Sequence, residues 1–192
     1  VISSGINSTS QINAIKKFIE LENIQKSIFL VPNLNYDLEI EKGIKSSKIK
    51  IFKKYHYDIE PTKLTQQIEK ITNYAIRKQN LIDEITRLEN SDDPVKERKI
   101  ENLKKRYTLG NLSFDSVVIT DFDESLKSVI TSLLYSDVSP KDFHLITLNQ
   151  WFDESLLKET NLQPIYYPSI NKKNLDNFKK KFLKEFNQST NH

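Results

Sequence analysis

The tetrapeptide Phe-Asp-Glu-Ser occurs twice, at Phe122–Ser125 in VVITDFDESLKSV and at Phe152–Ser155 in LITLNQWFDESLLK. Paired carboxylates serve as a general acid and base when they lie a few ångströms apart with separated pKa values. Asp121, Asp123 and a nearby acid could instead offer oxygens to a hard cation. Each tetrapeptide, however, directly follows an apolar run and directly precedes an amphipathic one. In that place Asp123 and Asp153 are expected to be helix caps rather than catalysts, accepting from first-turn N–H groups. Glu124 and Glu154 then suit the positive helix end. The acidic pair that a phosphoacceptor pocket needs after its first strand is absent, because VPNLNY stands there. We therefore expect no catalytic residues and no metal site.

Other chemistry-bearing residues are isolated. His56 lies within Tyr55-His56-Tyr57, His144 opens an apolar strand and His192 is in the tail, so no metal-ligand spacing and no nucleophile–base pair exists. Gly5, Gly43 and Gly110 form neither a dinucleotide fingerprint nor a P-loop, and no cofactor is expected. Tyr36, Trp151 and Phe152 fall in loops that follow strands, where an aromatic ring stacks on a ligand, anchors a partner or packs the loop.

The elements that position these residues follow from hydropathy. Ser8-Thr9-Ser10-Gln11 reads as a capping box before Ile12, Ile15, Phe18 and Ile19. Ser27–Asn33, Lys48–Tyr57, Phe114–Thr120 and Phe143–Asn149 read as strands, each followed by a helical pattern. Pro61 opens a helix whose stripe, Leu64, Ile68, Ile71, Ala75, Ile82, Ile85 and Leu88, runs for roughly thirty residues, about 45 Å. Asn90-Ser91-Asp92-Asp93-Pro94 breaks it, and Val95, Ile100 and Leu103 resume on the way back. The expected excursion is a long helical hairpin insertion at about 61–107. A short helix over Asp153–Glu159 and a final one with Leu175, Phe178, Phe182 and Phe186 on one packed edge complete the chain. The alternation predicts an α/β fold, a doubly wound parallel sheet with helices on both faces, and ligand sites in the loops after the strands. We divide the chain into a lobe at 1–162 and a crossover segment with an amphipathic helix at 163–192.

Composition bounds the function. With 192 residues, 37% hydrophobic and 29% charged, the chain suits one globular domain. Its 29 basic and 26 acidic residues are interspersed, which does not predict nucleic acid. No apolar run approaches the ~18 residues that a membrane span needs, and no leader pattern precedes Val1. The absence of cysteine removes disulfides and thiol chemistry. The absence of methionine, with Val1 first, leads us to expect a processed or excised piece.

The segment INSTSQINAIKKFIELENIQKSIFLVPNLNYDLEIEKGI resembles the start of the second lobe of type I periplasmic binding proteins. FDSVVITDFDESLKSVITSLLYSDV and FHLITLNQWFDESLLKE continue the likeness. The helical insertion before YTLGNLSFDSVVI, the LYSDVSPKDFHLITLNQWFDESLL segment and the IYYPSINKKNLDNFKKKFLKEF ending resemble the penicillin-binding-protein activator branch, the LppC-like lipoproteins. The likeness covers nearly the whole chain. It implies a non-enzymatic, periplasmic protein whose complete form has two lobes, of which this chain is mainly one, tethered by a lipid anchor outside this chain. Its implied partner is a peptidoglycan synthase that it binds and regulates. The alternative is a solute-binding protein that clamps amino acids or related small molecules for an ABC importer. From this lobe Tyr36, Asp121, Asn149 and Trp151 match ligand-facing positions.

Overall fold

A computed structural model describes residues 7–34, 37–148, 160–169 and 172–187. Five parallel strands, β1 (Ser27–Pro32), β2 (Lys53–Tyr57), β3 (Ser116–Ile119), β4 (His144–Thr147) and β5 (Ile165–Tyr166), form one sheet in the order β2-β1-β3-β4-β5. Every residue of β1 and β3 is buried, as continuous apolar runs require when both faces of a parallel sheet are covered.

Strand side chains alternate between two cores. Ile28, Leu30, Val117, Ile119 and Leu145 face the helices α3 (Pro61–Ile71) and α6 (Asp123–Tyr135), meeting Leu64, Ile68, Val129, Ile130 and Leu133. Phe29, Val31, Val118 and Ile146 face α1 (Ser8–Leu21) and α2 (Asp37–Ser47), meeting Ile12, Ile15, Ile19 and Ile40. The two helices on this side approach closely at Gly43, where an added Cβ would lie 2.7 Å from Ile12 Cδ1 and 3.3 Å from the backbone of Ser8 and Thr9.

Several boundaries differ from those that the sequence pattern predicts. The α1 cap is Asn7, whose side chain accepts from the Ser10 N–H at 2.8 Å, so the helix begins ahead of the expected capping box. β2 starts at Lys53; the alternation from Lys48 onward came from Ile49 and Ile51, which pack into the core from a loop. The thirty-residue helix is two helices, because Asn73 takes a left-handed conformation (φ 52°) and resets the buried face. Leu81 and Leu88 are buried on α4 (Tyr74–Glu89), and Ala75 and Ile82 are exposed. A helical hairpin does form, from α4 and the short α5 (Lys96–Leu103), which buries none of its residues. IYYP supplies a fifth strand that periodicity missed, since two residues carry no period. On the final helix, α7 (Lys172–Phe186), two residues of the apolar edge are exposed, Phe178 at 56% and Phe186 at 63%, and the rings of Phe178, Phe182 and Phe186 meet one another along the helix. The expected helix over Asp153–Glu159 lies outside the described residues.

Candidate functional site

In an open parallel sheet the carboxyl ends of two neighbouring strands part where the winding reverses, and the crevice there is the usual ligand site. Here the chain winds outward from β1 to β2 and then returns to the other side of β1 through β3. The reversal point is therefore the gap beyond Pro32 and Ile119. A pocket of 210 Å³ opens there, lined by Ser8, Glu39, Ile40, Thr120, Asp121, Phe122 and Leu148.

Asp121 is its structural centre. It is 2% exposed, and its Oδ2 accepts from the Tyr57 hydroxyl at 2.5 Å and from the Ser125 hydroxyl at 2.5 Å. Its Oδ1 accepts from the Phe122 N–H at 2.9 Å, and Thr147 Oγ1 donates to its carbonyl at 3.4 Å. The carboxylate thus ties the end of β2 to the first turn of α6, and the main-chain carbonyl of the same residue adds the end of β4. Phe122 occupies the N-cap position of α6 and makes no side-chain cap bond, and Asp123, expected as the cap, is the first helical residue. Asp121 thus accepts from the N–H of the N-cap residue, and the serine of the tetrapeptide closes the turn back onto it.

Of the other ligand-facing expectations, Tyr36, Asn149 and Trp151 lie outside the described residues, as does the second expected cap, Asp153. Three contributors were not singled out from the sequence. Tyr57 looked like the end of an aromatic run, yet it is fully buried and reaches Asp121. Ser125 had a signal in its spacing from Asp121, one helical turn on. Glu39 sits on the first turn of α2, lines the pocket and carries no hydrogen bond or ion pair among the described residues. Among the described residues the lining holds two carboxylates and no cation, which favours a positively charged ligand group. Among the described residues no group of three or more His, Asp or Glu side chains is placed to hold a metal ion, and no helix is long and apolar enough to cross a membrane.

The hairpin is fixed at the other end of the lobe by Arg77, also missed because an arginine on a helix reads as solvent-facing. It is buried: Nη1 donates to the Ser136 carbonyl at 3.2 Å, and Nη2 to Thr108 Oγ1 at 2.7 Å and to the Asp137 carbonyl at 3.3 Å. Burial lowers its pKa from the usual arginine value and Asp137, 3.6 Å away, opposes that shift, leaving a charged guanidinium at neutral pH. It satisfies carbonyls that the end of α6 leaves open.

No protein-family model matches the sequence, and no curated protein is significantly similar to it. Solved structures do match in shape. The leucine-, isoleucine-, valine-, threonine- and alanine-binding protein from Brucella ovis, in a closed conformation, superposes with a TM-score of 0.53 at 8% identity, over 95% of this chain and 40% of that one. A branched-chain amino acid ABC transporter periplasmic ligand-binding protein from Burkholderia xenovorans gives 0.51 at 9% identity, over 96% of this chain and 42% of that one. The chain has the fold of a type I periplasmic-binding-protein lobe. This lobe spans about two fifths of the length of those structures. In the lobe, the pocket at Asp121 and Glu39 occupies the strand ends that parallel α/β sheets use for ligands.

Proposed function

We propose that this chain forms one wall of the ligand cleft of a periplasmic solute-binding protein, which takes an amino acid or a related small ammonium-bearing molecule and does not turn it over. The observation that carries this reading is the pocket at the reversal point of the sheet, with Glu39 making no ion pair or hydrogen bond among the described residues and Asp121 holding the surrounding loops in place. At 210 Å³ it is smaller than the ~300–1,000 Å³ of complete sites, as one side of a shared cleft would be. The likeness in shape to amino-acid-binding proteins supports the same class. The activator-like role is the second reading. The helical hairpin favours it, since α5 buries none of its residues and so leaves a surface that could meet a peptidoglycan synthase.

The test is a thermal-shift screen of the full-length protein against the amino acids and peptidoglycan fragments. A ligand at a hundred times its dissociation constant adds ~2.7 kcal/mol to the folded state. We expect a shift with an amino acid that Glu39→Gln reduces. No shift with any compound would overturn the solute-binding reading and put the activator-like one first.

A further inference from the structure

A second concavity, of 930 Å³, lies at the opposite end of β3 from the cleft, between the base of the hairpin and the loops that enter β3 and β4. Asp115 at its floor and Asp121 at the cleft are six residues apart along an extended strand, roughly 20 Å. We propose that this concavity is a docking site for an acidic, extended peptide segment of a protein partner.

The lining itself is charge-balanced, with Arg77, Lys105 and Arg106 against Asp115, Asp137 and Asp142, and the positive excess lies on its rim, where Lys104 adjoins Lys105 and Arg106. Of the carboxylates in the lining, Asp115 accepts from the Lys26 N–H at 3.0 Å. Asp137 accepts from Thr108 Oγ1 at 2.5 Å and lies 3.6 Å from Arg77, so both are already engaged. Asp142 alone among these three has no side-chain partner among the described residues. Against it stand Arg106, with no ion pair among those residues, and Lys105, whose contact with Glu101 is an exposed one at 3.8 Å and so worth little. Between Lys96 and Arg106 six cations stand against two carboxylates, three of the cations on α5, which buries none of its residues, and three on the exposed run Lys104–Arg106 that follows it. That segment therefore steers an anionic partner toward the rim.

Two further features select a peptide over another polyanion. Tyr107, 76% exposed beside Arg106, is an amphipathic anchor, and the half-buried Leu112 and Phe143 in the wall can receive an apolar side chain. Gly110, Asn111, Leu112 and Ser113 also make no backbone hydrogen bond among the described residues, so their N–H and C=O groups are open to an extended chain. Arg77 beneath them fixes this loop, whose Leu109 N–H donates to the Arg77 carbonyl at 2.9 Å, and so limits the ordering that docking would require.

The experiment is fluorescence anisotropy of the full-length protein with a fluorescein-labelled peptide of alternating Glu and Leu, beside a Lys–Leu peptide of the same length. We expect selective binding of the acidic peptide that weakens as salt rises. It should fall at least tenfold in the double variant Lys105→Glu/Arg106→Glu, and also in Tyr107→Ser. All three residues are exposed, so the variants should keep the wild-type melting temperature and any amino-acid thermal shift, which places the loss at this site rather than at the cleft. Retained affinity in the charge-reversed variant, equal binding of the Lys–Leu peptide, or absence of binding at millimolar concentration would overturn the proposal. Equal competition by polyphosphate or by phosphatidylglycerol vesicles would do the same, by showing a general polyanion surface.

Discussion

The Tyr57 hydroxyl reaches over the end of β1 to donate a 2.5 Å hydrogen bond to Asp121, although β2 and β3 are not neighbours in the sheet. Strands lie ~4.8 Å apart, so the phenol ring bridges a gap of two spacings just behind the cleft pocket. The bond joins the two halves of the winding where they diverge. Tyr57→Phe keeps the ring and deletes this donor, leaving Asp121 Oδ2 with Ser125 alone among the contacts described above. We expect a loss of about 1–2 kcal/mol in urea unfolding with an unchanged slope. A change of less than a few tenths would show that the bond is not formed in solution.

The same geometry separates Asp121 from a ligand-contacting role. Because its carboxylate oxygens already accept from protein donors, Asp121→Ala should lower the melting temperature whether or not ligand is present. Glu39→Gln should leave stability nearly unchanged and weaken ligand affinity, because Glu39 makes no bond that the fold needs. Calorimetric titration of both variants, beside their unfolding curves, reads the two effects apart. An unchanged melting temperature in Asp121→Ala would remove the structural assignment, and unchanged affinity in Glu39→Gln would remove the ligand-contacting one.

How much of this was legible in the chain can be traced to particular residues. SIFLVP, SVVI and HLIT announced three central strands, since runs buried on both faces carry a strong apolar signal. Asp121 was named from its place after β3, but its partners were not. Tyr57 meets it from 64 residues away, and no local pattern encodes such a contact. The hairpin was anticipated from Asn90–Pro94, whereas the break at Asn73 was not. A single left-handed asparagine leaves the hydrophobic stripe almost intact on paper while rotating it in space. The apolar edge of α7 reads as a packed face in sequence, but periodicity cannot say what an edge packs against.

Arg77 offers a test of how the hairpin is held. Arg77→Met retains the aliphatic volume and removes the donors to Ser136, Asp137 and Thr108. Hydrogen bonds from a charged group contribute ~1.5–3 kcal/mol when buried, and Asp137 is partly solvated, so we expect a loss of about 2 kcal/mol. Amide exchange should accelerate over residues 74–112 more than in the strands. Uniform acceleration across the chain would show that the hairpin has no independent stability.

Gly43 sets two opposing effects against each other. Alanine in a helix is favoured over glycine by ~1 kcal/mol. Its Cβ would meet Ile12 Cδ1 at 2.7 Å, and Ile12 is fully buried, so overpacking of ~1–3 kcal/mol should win. Gly43→Ala should therefore destabilise by about 1 kcal/mol. Ile12→Val removes the clashing methyl, so the double variant should be more stable than the sum of the single effects implies. Strict additivity in chemical denaturation would rule out this contact as the cause.

Acid sensitivity should be visible at the start of α3. The Glu60 carboxylate accepts from the Thr62 and Lys63 N–H groups, both at 3.0 Å, and these backbone bonds hold its pKa below the ordinary glutamate value. A carboxyl whose pKa is depressed by folding stabilises the native state above its unfolded pKa, ~4.3, and that contribution is lost as pH falls through the folded value. Wild type should therefore exceed Glu60→Ala in melting temperature at pH 6, with the difference shrinking progressively below about pH 4.3. Lys63 pairs with Asp58 at 3.1 Å, and Asp58, held low chiefly by the Glu60 N–H, loses its contribution in the same direction. The comparison between wild type and Glu60→Ala therefore has to be repeated in an Asp58→Asn background. A gap that widens on acidification, in either background, would reverse the sign assigned here to the cap.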